Sequence, residues 1–170
     1  MKNSQRNVVL IGMPGAGKST IGVILAKQSA HNFVDTDVLI QLEAKRTLQE
    51  ILDAEGKEGF HKIEERVLLS HHFSNHIIAT GGSAVYSEAA MMHLKSAGIA
   101  VFLEVKFEEL ERRLTNLDSR GVTAEPGQTL RELFEERQIL YRKYADVVIN
   151  CDRLSQLEIS QVICQQLMLR

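Results

Sequence analysis

Residues Gly12-Met13-Pro14-Gly15-Ala16-Gly17-Lys18-Ser19 read G-x-x-x-x-G-K-[ST]. The octet follows an apolar run of strand length, Val8-Val9-Leu10-Ile11, and leads into a helical pattern beginning near Ser19. A glycine-rich loop between a buried strand and a helix commits the first thirty residues to a βα unit with a ligand at its turn. The loop lets successive backbone N–H groups turn inward around phosphate oxygens, and the helix N-terminus adds its partial positive charge. Gly12, Pro14, Gly15, Ala16 and Gly17 form this cradle, with Lys18 placed to bridge β- and γ-phosphates. Ser19 would set its hydroxyl on Mg²⁺, and Thr20 follows at the same helix end. The expected ligand is a nucleoside triphosphate with Mg²⁺.

Further apolar runs of strand length recur between helical patterns: Phe33-Val34, Ile77-Ile78-Ala79, Val101-Phe102-Leu103 and Val147-Val148-Ile149. Short continuous runs of this kind are strands buried on both faces, and helices between them make βαβ units, so the class is α/β with a parallel sheet. Thr47 with Glu50 and Thr129 with Glu132 have the spacing of capping boxes and mark two helix starts. Pro126-Gly127 punctuates a loop of about 116–128, long enough to serve as a lid. No internal repeat or low-complexity linker divides the chain, and 170 residues suit one domain.

Twenty Lys and Arg against 22 Asp and Glu give a formal charge of -2, so no net basic field supports nucleic-acid binding. An anionic ligand must be met by a local site. The two cysteines, Cys151 and Cys164, are too few for a disulfide framework or a four-ligand zinc cluster, and both read as small core residues. Polar residues precede the first strand, where a signal peptide would need a basic start and a longer apolar stretch. No apolar run approaches the ~20 residues that span a bilayer. The expectation is a cytoplasmic protein with a small-molecule substrate, no nucleic-acid or membrane partner, and a monomeric state.

Beyond the phosphate loop, Phe33-Val34-Asp35-Thr36-Asp37 reads as a strand ending in two carboxylates at i and i+2. In an extended strand both would face one cleft while Thr36 points away. Next come Gly56-Lys57-Glu58-Gly59-Phe60-His61-Lys62-Ile63-Glu64-Glu65 and Ala79-Thr80-Gly81-Gly82-Ser83-Ala84-Val85. Arg120 stands in the loop, and Arg137-Gln138-Ile139-Leu140-Tyr141 follows. In this order and at these separations, from about Val8 to Asp152, the chain resembles the shikimate kinase family.

That resemblance implies a three-layer P-loop kinase fold with a five-stranded parallel sheet, similar to nucleoside-monophosphate kinases. A substrate-binding helical segment would lie at about 35–65 and a lid at about 114–128. The implied reaction is ATP-dependent phosphorylation of shikimate to shikimate 3-phosphate, in aromatic amino-acid biosynthesis. Asp37 resembles the carboxylate that holds the acceptor hydroxyl, and Asp35 an outer-shell Mg²⁺ residue. Gly81 and Gly82 resemble the backbone that approaches the substrate, and Arg137 an arginine that grips its carboxylate. Arg120 resembles the lid arginine over the phosphates, and Arg113 and Arg153 the positions near adenine. A loose phosphoryl transition state asks mainly for positioning and electrostatics, which Lys18, Mg²⁺, Arg120 and Asp37 would supply.

Two substrate-side positions depart from the family. His61, followed by Lys62, stands where an arginine is usual, and an imidazole lacks the planar bidentate fork of a guanidinium. Ser83 stands where the family commonly has a third glycine, adding a Cβ and a hydroxyl. The lid reads Ser119-Arg120-Gly121-Val122 where Arg-Pro is common. These changes leave open another small hydroxy acid, such as homoserine, as acceptor, and a nucleotide-binding regulatory domain as the non-enzymatic reading. His61 and Ser83 nonetheless count with Asp37, Gly81, Gly82 and Arg137 as candidate substrate residues. By contrast, His71, His72, His76 and His93 have no metal-ligand spacing and read as surface or helix-end residues. Arg112 reads as a solvated helix face. Arg137 and Tyr141, at i and i+4, would by themselves be a surface pair.

Overall fold

A computed structural model describes residues 6–114 and 122–169. Five strands are found, β1 (Asn7–Ile11), β2 (Asn32–Asp35), β3 (His76–Ala79), β4 (Gly98–Glu104) and β5 (Val147–Asn150). They form one sheet in the order β2-β3-β1-β4-β5, with every pairing parallel. All five runs read from the sequence are strands, and β1, the most apolar, lies at the centre with Val9, Leu10 and Ile11 fully buried.

The connecting helices are α1 (Lys18–Ser29), α2 (Thr36–Ala44), α3 (Leu48–Ser70), α4 (Glu88–Ser96), α5 (Phe107–Arg113), α6 (Leu130–Tyr144) and α7 (Gln156–Leu167). α1 packs on α7, α4 packs on α3, and both groups close on the sheet to give three layers. The main core runs through all five strands and includes Cys151, while Ile40, Ile51, Phe60 and Val67 make a smaller core between α2 and α3. Met91 and Leu94 join the main core, but Met92 on the same helix is exposed.

Both capping boxes form as read, Thr47 with Glu50 and Thr129 with Glu132. A third, Ser155 with Glu158, starts α7 and went unread in the sequence. α3 is not one straight helix. Gly56 has φ 67° and ψ -179°, a backbone conformation open essentially to glycine alone, and it breaks the helix before the turn carrying Phe60, His61 and Glu64.

The Asp35–Asp37 segment corrects the sequence expectation. The strand ends at Asp35, whose Oδ1 accepts from the Asp37 amide 3.0 Å away and caps α2. Asp37 is already helical, because an Asp at a strand end satisfies the orphan N–H groups of the following helix better than one more extended residue could. Thr36 does not point away. It is fully buried, and its Oγ1 accepts from the Gly81 amide at 3.2 Å, tying β2 to the turn after β3.

Candidate active site

The C-terminal ends of β1, β2 and β3 bring the phosphate loop, Asp35 with Asp37, and the Thr80–Ser83 turn together on one edge of the sheet. Ligands of open parallel sheets bind in the crevice beyond the carboxyl ends of the strands. A cleft of about 630 Å³ opens there, with Lys18, Asp37, Gly81 and Arg137 in its lining.

Gly17 has φ 94° and caps α1, and Gly12 has φ 147°, so both use backbone space that side-chain-bearing residues rarely enter. The loop is thereby folded around a hollow into which Lys18 reaches. Lys18 Nζ donates to the carbonyls of Gly12 at 2.6 Å and Met13 at 2.8 Å. Burial lowers its pKa to about 8, opposed by the nearby Asp37. Ser19 and Thr20 are exposed on the cleft rim. The Ser19 hydroxyl donates to Asp35 Oδ2 at 2.5 Å, so the first turn of α1 and the cap of α2 converge on two hard oxygen donors.

Beside them lies a pair of carboxylates. A methyl group added to Gly81 would stand 2.6 Å from Asp37 Oδ1 and 2.7 Å from Glu64 Oε1, so both acids flank the same bare α-carbon. Burial raises the Asp37 pKa to about 6, helped by Asp35 and opposed by Lys18. Glu64 is 2% exposed, and burial raises its pKa to about 7, with the Ser83 hydrogen bond opposing and Asp37 adding to the rise. Ser83 donates to Glu64 Oε2 at 2.7 Å, while Oε1 is buried without a partner. The Ser83 hydroxyl thus serves the protein rather than the cleft. Sequence reasoning passed over Glu64, although its place three residues after His61 on a helix was a usable signal.

Arg137 is 1% exposed, not a surface residue, because α6 lays it under the Ser83–Tyr86 turn. Its Nη2 donates to the Thr123 carbonyl at 2.6 Å and to Thr123 Oγ1 at 2.9 Å, and its Nε to the Tyr86 hydroxyl at 3.3 Å. Nη1 stands over Gly82, 2.9 Å from where a Cβ would sit. Tyr141, one turn on, is buried and donates to the Gly82 carbonyl at 2.7 Å. This holds the glycine turn from behind.

His61 is not part of the cleft lining. It stacks on Tyr86 with ring centroids 5.0 Å apart, and its Nε2 lies 3.2 Å from Thr123 Oγ1. Burial and the cations Lys57 and Arg137 push its pKa down to about 4, which leaves it neutral. Lys62 is exposed on another side of α3 and supplies no substitute cation. Val122 and Thr123 form part of the cleft wall, whereas Arg120 lies outside the described residues.

Arg113 reaches the phosphate loop, its Nη1 donating to the Gly15 carbonyl at 3.0 Å while Nε holds Glu109 at 2.7 Å. It also borders a second cavity of about 560 Å³, whose wall includes Arg153, Cys151 and Leu154. Arg113 and Arg153 therefore meet around one hollow next to the loop. Gln156, at the start of α7, sets its Nε2 3.8 Å from where a Gly17 Cβ would sit, lines the main cleft, and had no signal in the sequence. Arg112 is exposed and paired with Glu109, as expected of a solvated face.

The family model described as Shikimate kinase matches residues 14–168. The chain belongs to the shikimate kinase family. It is 38% identical over 167 residues to a shikimate kinase of Vibrio parahaemolyticus, covering 96% of each chain. It is 39% identical over 150 residues to that of Pseudomonas entomophila, covering 86% of this chain and 87% of the relative. Among solved structures, shikimate kinase from Acinetobacter baumannii in complex with shikimate superposes with a TM-score of 0.86 at 32% identity, covering 96% of this chain and 93% of that one. Membership makes the protein an ATP-dependent small-molecule kinase, and its fold is the P-loop kinase fold of the family.

Proposed function

We propose that this protein transfers the γ-phosphoryl group of ATP to the 3-hydroxyl of shikimate, with the acceptor seated between Asp37, Gly81 and Arg137. The observation that carries this reading is the convergence of a phosphate loop, a half-buried aspartate and a buried arginine on one cleft. The attacking hydroxyl and the carboxylate of shikimate each have a complementary group there. Asp37 accepts the hydrogen bond of the attacking hydroxyl and takes its proton, a role suited to a carboxylate whose pKa lies just below neutrality. Arg137 Nη1, standing over Gly82 at the cleft, is the donor facing the acceptor carboxylate. The bare α-carbons of Gly81 and Gly82 let the ring approach the backbone.

Lys18 lies where the β- and γ-phosphates enter the loop, and it exchanges its two carbonyl partners for phosphate oxygens as they arrive. Ser19 and Asp35 are hard oxygen donors 2.5 Å apart on the cleft rim, which fits Mg²⁺ held through the Ser19 hydroxyl, with Asp35 acting through water. Bound there, Mg²⁺ would neutralise charge on the transferring phosphoryl group. Arg113 and Arg153 flank the second hollow as the place for the nucleoside. A three-in-one assignment follows for the chain: one kinase domain, a helical acceptor-binding segment at about 35–65, and a lid at about 114–128 that carries Arg120.

An ADP-release assay with ATP and Mg²⁺ tests the reading, offering shikimate and homoserine separately and using Lys18→Ala as the blank. Turnover with shikimate that falls by roughly 10²-fold or more in Asp37→Asn is the expected result. Turnover with homoserine alone would refute the proposed acceptor.

A further inference from the structure

His61 stands where the family usually has the arginine that pairs with the acceptor, yet it is absent from the cleft lining and meets the wall residue Thr123 instead. Thr123 is 1% exposed, and its single hydroxyl stands between two side chains. On one side Arg137 Nη2 donates to it at 2.9 Å; on the other, His61 Nε2 lies 3.2 Å away. A guanidinium can only donate, so Oγ1 accepts from Arg137 and its own proton is free for the imidazole. A neutral ring provides the acceptor nitrogen this requires, and stacking on Tyr86 holds the ring in place. The Thr123 carbonyl, 2.6 Å from the same Nη2, completes a two-point grip on one edge of the guanidinium. Tyr86 holds Nε, which leaves Nη1 directed at Gly82.

We propose that Thr123 is a positioning residue for Arg137, oriented by His61, and that His61 serves acceptor binding through this hydrogen-bond chain rather than by touching the acceptor. The second cation of the family's clamp is replaced by a device that freezes the remaining one. A charge-assisted donor held in one rotamer loses less freedom on binding a carboxylate than a mobile guanidinium does. This rests on the proposed role of Arg137 in holding the acceptor carboxylate.

Two measurements separate the inference from that reading. In the unliganded protein, ¹⁵N spectra of arginine side chains should show Arg137 with two distinct, slowly exchanging Nη signals. Thr123→Val, which keeps the carbonyl and the shape, should merge or broaden them, and Thr123→Ser should restore them. With shikimate as acceptor, Thr123→Val should raise its KM about 5- to 10-fold with a smaller change in kcat and ATP KM. His61→Phe should raise acceptor KM less, and should add nothing in the Thr123→Val background. Unchanged Nη signals in Thr123→Val would overturn the inference whatever the acceptor proves to be. So would a His61→Phe effect of equal size in both backgrounds, which would put the imidazole on the acceptor itself. If wild type ignores shikimate while the Nη signals respond as expected, the positioning of Arg137 stands and the choice of acceptor fails.

Discussion

At the scale of single residues, the acid pair around Gly81 governs how the protein responds to pH. Asp37 must be ionised to accept a proton, so kcat/KM for the acceptor should rise through about pH 6, and Asp37→Asn should lower kcat by roughly 10²- to 10⁴-fold and abolish that limb. A pH–rate profile of both proteins checks this. Glu64 acts on stability in a different window. Its folded pKa, about 7, exceeds the ordinary 4.5, so between these values the folded state holds more protons than the unfolded state. Its stabilising protonated form is therefore present at low pH and lost as pH rises through about 7. The shift corresponds to at most roughly 3 kcal/mol. Glu64→Gln keeps the donor and acceptor geometry without the charge, so urea melts should show a flatter fall in stability from pH 5 to 8 than in wild type. Lys18, Ser19 and the loop glycines were legible in the sequence because their function depends on local backbone and spacing. Glu64 and Thr123 were not, because their roles come from partners 19 and 14 residues away, Ser83 and Arg137.

At the scale of elements, the break in α3 decides where Phe60 and Glu64 stand. Gly56 sits at φ 67° and ψ -179° with nothing within 4 Å of a Cβ, so a substitution there strains the backbone without a clash. Gly56→Ala should cost about 1–3 kcal/mol in chemical denaturation and raise acceptor KM, since the turn that follows carries Phe60 and Glu64. The capping box of α7 offers a contrast. Ser155→Ala should cost about 0.5–2 kcal/mol by thermal melting, and should disturb the cleft only through Gln156 next to it. Capping boxes were readable where a Thr and a Glu stood out three residues apart; the boundary at Asp35 was misread because Asp serves a strand end and a helix cap equally well until the next turn is known. Spacing by itself would have left Arg137 and Tyr141 a surface pair, since periodicity says which residues share a helix face and not what that face meets.

At the scale of the whole molecule, one sheet edge gathers the phosphate loop, Asp37 and Arg137, so nucleotide binding there should stabilise the fold. ATP with Mg²⁺ at about a hundred times its Kd adds roughly 2.7 kcal/mol, which for a chain of this size raises Tm by about 5–10 °C. Differential scanning fluorimetry should show the shift in wild type and lose it in Lys18→Ala. Among the described residues no helix is long and apolar enough to cross a membrane. The sequence by itself determined the class of fold, the parallel strands and the phosphate loop, because each is encoded by neighbours: apolar runs, capping pairs, and glycines next to the lysine they serve. Tertiary structure alone decided that Asp37 and Glu64 flank one glycine, that Arg137 is buried beneath Tyr86, and that His61 meets Thr123. These are contacts between distant segments in a medium poor in water, where burial sets the charge of each group and the partner across the cleft, not the neighbour along the chain, sets its direction.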